Sequence, residues 1–290
     1  TGQLADKKEE ISKVSQKIIL SAAELYANET GNTYQTITIN DLVEAGKLEQ
    51  PIIDQKTGKE ISLTKEISID ASGNACIVGI DGCDRITYKQ YKNGEIVYFN
   101  PETGKKCASS EAANTTGTKI GCMKWYAFND REGNATVNVI LDHNTTTRVA
   151  WNLTGSNSEM KEAKEALKTD TRTWENPARL ITANEVAKIT KHPTFDATQS
   201  GQSWFCLDTN KPDTTNWCSK AQGTSEYAWL FDYTYECTNY GCNTSDLSTW
   251  GYWTSTSSWH VSRFGHLSNT NANYADSGVR PVITISKANI

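Results

Sequence analysis

No apolar run approaches the roughly 20 residues that a membrane-crossing helix needs, and no stretch reads as a signal peptide. Nothing in the sequence is therefore expected to span or target a membrane. Positive charge is not in excess either. The 290 residues carry a net charge of -5, with -4 on residues 1–98 and -1 on the remainder, which leaves no basic face for nucleic acid. No Cys-x-x-Cys pair occurs, and the chain has only four histidines, so the usual parts of a metal site are scarce. Calcium would need about six to eight converging oxygen ligands, and no serine sits in the small-residue elbow of a hydrolase. Catalytic residues, cofactors and metals are accordingly expected to be absent.

What the chain does have is eight cysteines, all after Ala75, in close pairs: Cys76 and Cys83, Cys107 and Cys122, Cys206 and Cys218, Cys237 and Cys242. An even count in short-range pairs reads as a disulfide framework, which places the protein outside the cytoplasm. Nearest-neighbour pairing is the preferred connectivity, and a zinc site built from two or more of these thiols is the competing reading. Closing a loop such as that between Cys107 and Cys122 contributes about 3 kcal/mol in the chain-entropy model. Composition also shows a seam. All nine tryptophans lie between Trp125 and Trp259, whereas the first seventy residues are rich in Lys, Glu, Ile and Thr. Two modules are expected, residues 1–98 and 99–290.

In the first module Ile11, Val14, Ile18, Ala22 and Leu25 recur at helical spacing from Leu4 onward, with Gly31 placed to end the helix. Residues 36–39 read as extended, and residues 41–45 as a short helix stopped by Gly46. Strands follow around Ile61 to Ile69 and over residues 75–80. Lys92-Asn93-Gly94-Glu95 reads as a hairpin turn between residues 86–91 and 96–99. A long leading helix, then Thr38 to Gly46, then a small antiparallel sheet resembles a type IV pilin or pseudopilin, in particular the pilin-like proteins of Gram-positive bacteria. That resemblance implies a preceding apolar segment, missing from this sequence, that anchors the protein and packs with other pilin subunits through the helix. An ordinary amphipathic helix on an ordinary domain is the alternative.

In the second module residues 137–141 and 148–151 read as strands joined by a polar turn, and residues 157–168 as a surface helix. Thr182 with Glu185 three residues later makes a capping box for a helix through Ile189, ended by His192-Pro193. An aromatic strand over residues 227–233, a strand over 251–256 and a closing strand over 279–285 complete the reading. Trp229 and Trp253 are expected in the core. Arg179-Leu180-Ile181-Thr182 with Glu185, then Gly251-Tyr252-Trp253-Thr254-Ser255-Thr256, then Gly278-Val279-Arg280-Pro281-Val282 occur in that order. In this order they resemble the C-type-lectin-like domains of the formylglycine-generating-enzyme superfamily and their non-enzymatic relatives on bacterial surfaces. The enzymes of that family hold copper on a cysteine pair, and neither cysteine can be placed here. The Glu-Pro-Asn type motif of calcium-dependent sugar-binding lectins is absent too, so the resemblance implies display and calcium-independent binding.

His143, in a turn, and His192, before a proline, read as surface residues. The polar ribbon over residues 257–276 is where a ligand-binding site is expected, with Trp259, His260, Arg263, His266, Asn269, Asn271, Asn273 and Tyr274 as its candidates. Aromatic rings supply stacking area, amides supply paired donors and acceptors, and arginine supplies charge-assisted bonds. Trp259, Arg263 and Tyr274 carry most of the expectation. Proteins diversified by retroelements use the same lectin-like fold and vary residues near the C-terminus at Asn codons, where Asn269, Asn271 and Asn273 fall. The expectation as a whole is an α+β chain, a pilin-like stalk bearing a disulfide-rich C-type-lectin-like head. Its expected role is a non-catalytic surface or pilus subunit that captures a glycan or protein ligand, or else serves the filament structurally.

Overall fold

A computed structural model of the chain describes residues 11–31, 33–70, 72–112, 118–131, 133–207, 226–231, 251–262 and 265–290. The chain divides into two compact units, Thr1–Lys89 and Gln90–Ile290. The boundary expected between residues 98 and 99 falls inside a strand, Ile96–Asn100, that belongs wholly to the second unit. The fold class is corrected as well. Among the described residues sheet predominates, with fourteen strands in three sheets against five helices, the longest of 18 residues. Among the described residues no long helix leads the chain as a pilin-like module would require.

In the first unit helix α1 spans Lys13–Thr30, with the Ser12 hydroxyl accepting from Ser15 N at its start and Gly31 in the left-handed region (φ 69°) at its end. Its buried face runs through Ser15, Ile19, Ala22, Ala23 and Ala27, with Ile11 buried just ahead of the helix, whereas Val14, Ile18 and Leu25 are exposed at 61%, 48% and 48%. Of the apolar residues used to read the helix, only Ile11 and Ala22 therefore face the core. Small side chains explain the shift, because Ala23 and Ala27 let the helix approach the sheet closely and carry little weight in an apolar count.

That sheet is antiparallel: β1 (Gln35–Thr38), β2 (Glu66–Ile69) and β3 (Ala75–Ile77), with β2 in the centre. Helix α2 (Ile39–Glu44) follows β1 through a capping box between Thr38 and Asp41, and buries Ile39 and Leu42. The core of the unit joins these residues to Ile37, Ile67, Ile69 and Ile77. Cys76 and Cys83 form a disulfide at its edge.

Among its described residues the second unit has two sheets. The five-stranded one has the order β14-β7-β6-β4-β5, made of β4 (Ile96–Asn100), β5 (Lys105–Lys106), β6 (Met123–Phe128), β7 (Thr136–Leu141) and β14 (Val282–Ser286). Both its faces are covered. Tyr126, Phe128, Ile140 and Val282 point to one core, and Trp125, Met123, Val139, Leu141 and Ile283 to the other. All six residues of β6 are buried for this reason, and a strand buried on both faces is written as a continuous run without alternation. The hairpin expected around Asn93-Gly94 is half present. Glu95 N donates to Lys92 O in the turn, but residues 86–91 form no strand, and β4 pairs with β5 and β6.

The six-stranded sheet has the order β8-β13-β10-β11-β12-β9, with β8 (Thr146–Val149), β9 (Phe205–Cys206), β10 (Gly251–Trp253), β11 (Trp259–Ser262), β12 (His266–Asn269) and β13 (Ser277–Val279). One face shares a core with the first sheet through Tyr252, Trp259, Val261 and Leu267, joined by Val186 and Ile189 of helix α4 (Ala183–Ile189). The other face packs Trp253 and Val279 against Ala163 and Leu167 of helix α3 (Glu162–Asp170). Thr182 and Glu185 form the capping box of α4 read from the sequence.

Three sequence readings change here. Strands β7 and β8 lie in different sheets, so the segment between them crosses from one sheet to the other and is buried, taking His143 (1% exposed) inside. The expected aromatic strand at 227 is helix α5 (Ala228–Phe231), with Trp229 half-buried against Tyr126. The closing strand is split into β13 and β14 at Arg280-Pro281.

Candidate ligand-binding surface

The ribbon of the second unit is the hairpin of β11 and β12 plus the loop over residues 269–276. Alternation along β11 sends Trp259 toward the core, 5% exposed, where its ring meets Phe195 edge-on at 5.0 Å. His260 points to the opposite face. It is 4% exposed, with Nδ1 2.9 Å from Ser277 Oγ and Nε2 2.9 Å from Ser268 Oγ. Burial, with a contribution from neighbouring His266, pushes its pKa down to about 3, so the ring is neutral and serves as a hydrogen-bonding strut. His266 is 8% exposed, 3.4 Å from Ser262 Oγ and beside Trp204.

Trp259, His260 and His266 are thus corrected from ligand contacts to internal residues, because the ribbon is a central part of a sheet covered on both sides. Arg263 lies outside the described residues. The remaining four candidates come together. Asn269, Asn271, Asn273 and Tyr274 are all exposed, Tyr274 at 49%.

The loop that carries them is held from beneath. Ala272, 2% exposed, is its anchor in the core under α3. Asn152 N donates to Ala272 O at 2.9 Å, Thr270 N to Ser258 O at 3.1 Å and Tyr274 N to Asn271 O at 3.1 Å. The Asn269 amide donates to Ser258 Oγ at 3.0 Å.

The Asn152 bond brings a second loop alongside. In it the Asn152 side chain accepts from Thr154 N and Thr154 Oγ1 and donates to Glu159 O, a self-contained Asx turn that leaves Leu153 61% exposed. Leu153 N is fixed by Glu162 at 2.7 Å. The surface therefore presents an aromatic ring, an aliphatic side chain and amides on two loops whose backbones are tied to each other. Leu153 was not among the sequence candidates. The turn signature Asn152-Leu153-Thr154-Gly155 was the available signal.

Histidines elsewhere are structural. His143 Nε2 lies 2.9 Å from Thr118 O. His192, half-buried, stacks on Phe205 at 3.7 Å, and its pKa is lowered by burial. The sequence reads both as surface residues, and the sheet crossing and the Phe205 ring explain the difference.

Among the described residues no three His, Cys, Asp or Glu side chains converge as a metal site would require. The zinc alternative is overturned for four thiols, since Cys76–Cys83 and Cys107–Cys122 are disulfides. Cys206 is also disulfide-bonded, and Cys218, Cys237 and Cys242 lie outside the described residues. No described helix is long and apolar enough to cross a membrane. Comparison with family models, with curated proteins and with solved structures gives no match.

Proposed function

We propose that Gln90–Ile290 is a non-catalytic ligand-binding module of a protein that works outside the cytoplasm, and that its two pinned loops capture a glycan or protein ligand. The observation that carries this reading is the exposure of Tyr274 and Leu153 on backbones already fixed by hydrogen bonds. A surface held in shape before contact loses little conformational entropy on binding, and a tyrosine supplies large contact area with few torsions to freeze. The disulfides support the location, because such bonds persist in oxidising compartments.

A variable loop is a second reading of the same surface. Asn269, Asn271, Asn273 and Tyr274 are exposed around the buried anchor Ala272. Exchange of Asn271, Asn273 and Tyr274 would alter the surface while leaving the core contacts in place, whereas Asn269 also bonds the buried Ser258.

The test is binding of the full chain to arrayed glycans and to bacterial and host surface proteins, with a variant combining Leu153→Ser, Asn271→Ala and Tyr274→Ala. Loss of at least about tenfold in affinity at an unchanged melting temperature is expected, since exposed substitutions scarcely affect stability. A folded chain that binds nothing, or whose binding ignores these substitutions, overturns the reading.

A further inference from the structure

Away from those loops, the second unit has an open groove of about 420 Å³ between the segment that joins β6 to β7 and helix α4. Asn129, Arg131 and Asn134 line one side, and Thr182, Glu185 and Lys188 the other. Among the described residues no aliphatic or aromatic side chain takes part. An apolar ligand would find nothing to bury against, whereas a hydroxylated one would find amides and a hydroxyl.

Among the described residues the charge inside the groove is one-sided once the acids are accounted for. Glu185 is held by both terminal nitrogens of Arg179, at 2.7 and 2.6 Å, and accepts from Thr182 N at 2.8 Å. The Asp130 side chain, next to the lining, is fully buried and paired with Lys287 at 2.8 Å. These carboxylates are neutralised within the fold.

Arg131 and Lys188, by contrast, are both exposed, and neither side chain makes an ion pair among the described residues. Two free cations in one groove of a chain with net charge -5 form a local attraction for anions that the molecule as a whole lacks. The groove is also far larger than one inorganic anion, given that a water molecule takes about 30 Å³.

We propose that this groove binds an acidic oligosaccharide, with a carboxylate held by Arg131 and Lys188 and sugar hydroxyls bonded by Asn129 and Asn134. Arginine suits the carboxylate because its planar fork can donate two parallel hydrogen bonds. The site is independent of the Tyr274 surface and would stand or fall separately from it.

The experiment is calorimetric titration of the full chain with trigalacturonate, with the neutral trisaccharide galactotriose and with inorganic phosphate. Trigalacturonate is expected to bind at least about tenfold more tightly than either control and to weaken at least about fivefold as salt rises from about 50 to about 500 mM. Arg131→Gln and Lys188→Gln should each weaken it at least about fivefold, with unchanged melting temperature, while Tyr274→Ala should leave it unaltered. No binding of trigalacturonate at millimolar concentration overturns the proposal. So does equal binding of galactotriose, equal binding of phosphate, or indifference to both charge substitutions.

Discussion

The guanidinium carbon of Arg280 stands 5.1 Å from the ring centre of Tyr252, and both side chains are fully buried. The two converge on one acceptor. Leu230 O takes a hydrogen bond from the Tyr252 hydroxyl at 2.5 Å and from Arg280 Nη1 at 2.9 Å. Arg280 also donates through Nε to Leu141 O at 2.6 Å and through Nη2 to Trp229 O at 2.7 Å and Asp142 O at 3.4 Å. One side chain thus ties the end of β7, the crossing turn and helix α5 to the break between β13 and β14. Burial pushes the tyrosine hydroxyl up to about 12, so it remains a neutral donor.

Arg280→Lys keeps the charge but replaces a planar fork by a single ammonium that cannot reach acceptors on both sides. Carbonyls left without a donor cost about 1–3 kcal/mol each, so a loss of about 3 kcal/mol is expected. All nine tryptophans lie between Trp125 and Trp259, so tryptophan fluorescence during urea unfolding reports on the second unit alone. A midpoint equal to that of the native chain would show that the carbonyl cluster does not depend on arginine geometry.

Gly278 in the same segment is required for space. A Cβ there would lie 2.3 Å from Asn144 Nδ2 and 2.6 Å from Thr146 O, the latter being backbone of the neighbouring strand β8. Gly155, at φ 79°, has nothing within 4 Å of its would-be Cβ. Gly278→Ala is expected to cost about 3 kcal/mol by forcing the strands apart, and Gly155→Ala about 1 kcal/mol from backbone strain alone. Equal losses in the same fluorescence assay would sink the distinction.

The legible parts of this fold were those written in local chemistry. Thr182 with Glu185 announces a helix start, Gly31 and Gly46 announce helix ends, and the cysteine spacing announces the two disulfides that close within the described residues. Strand β6 was illegible because burial on both faces removes the alternation that marks a strand. The buried side of α1 was misjudged because Ala23 and Ala27 do the packing while Val14 and Ile18 face outward.

At the candidate surface, residue type singles out a segment but not the orientation of its side chains. Trp259 and Tyr274 are both aromatic residues on a polar ribbon, and only the covering of the sheet by a second sheet and a helix decides that the first is internal and the second exposed. The Arg131 groove was invisible for another reason. Its two sides come from segments more than forty residues apart in the chain, so no local pattern records it.

His260 gives the second unit a defined acid sensitivity. Its folded pKa is near 3 because burial penalises the charged ring, against an ordinary value of 6.5. Above 6.5 the imidazole is neutral in both folded and unfolded chains, and its contribution to stability is complete. As pH falls below 6.5 the unfolded chain takes up a proton that the folded one refuses, so stability declines until the folded ring also protonates near 3. The slope from this group approaches about 1.4 kcal/mol per pH unit within that window. His260→Gln removes the titrating group while an amide can still bond Ser277 and Ser268. Fluorescence-monitored urea midpoints from about pH 7.5 down to about pH 4.5 should therefore fall less steeply for the variant than for the native chain. Parallel curves for the two proteins would place the acid sensitivity in other groups and remove His260 from it.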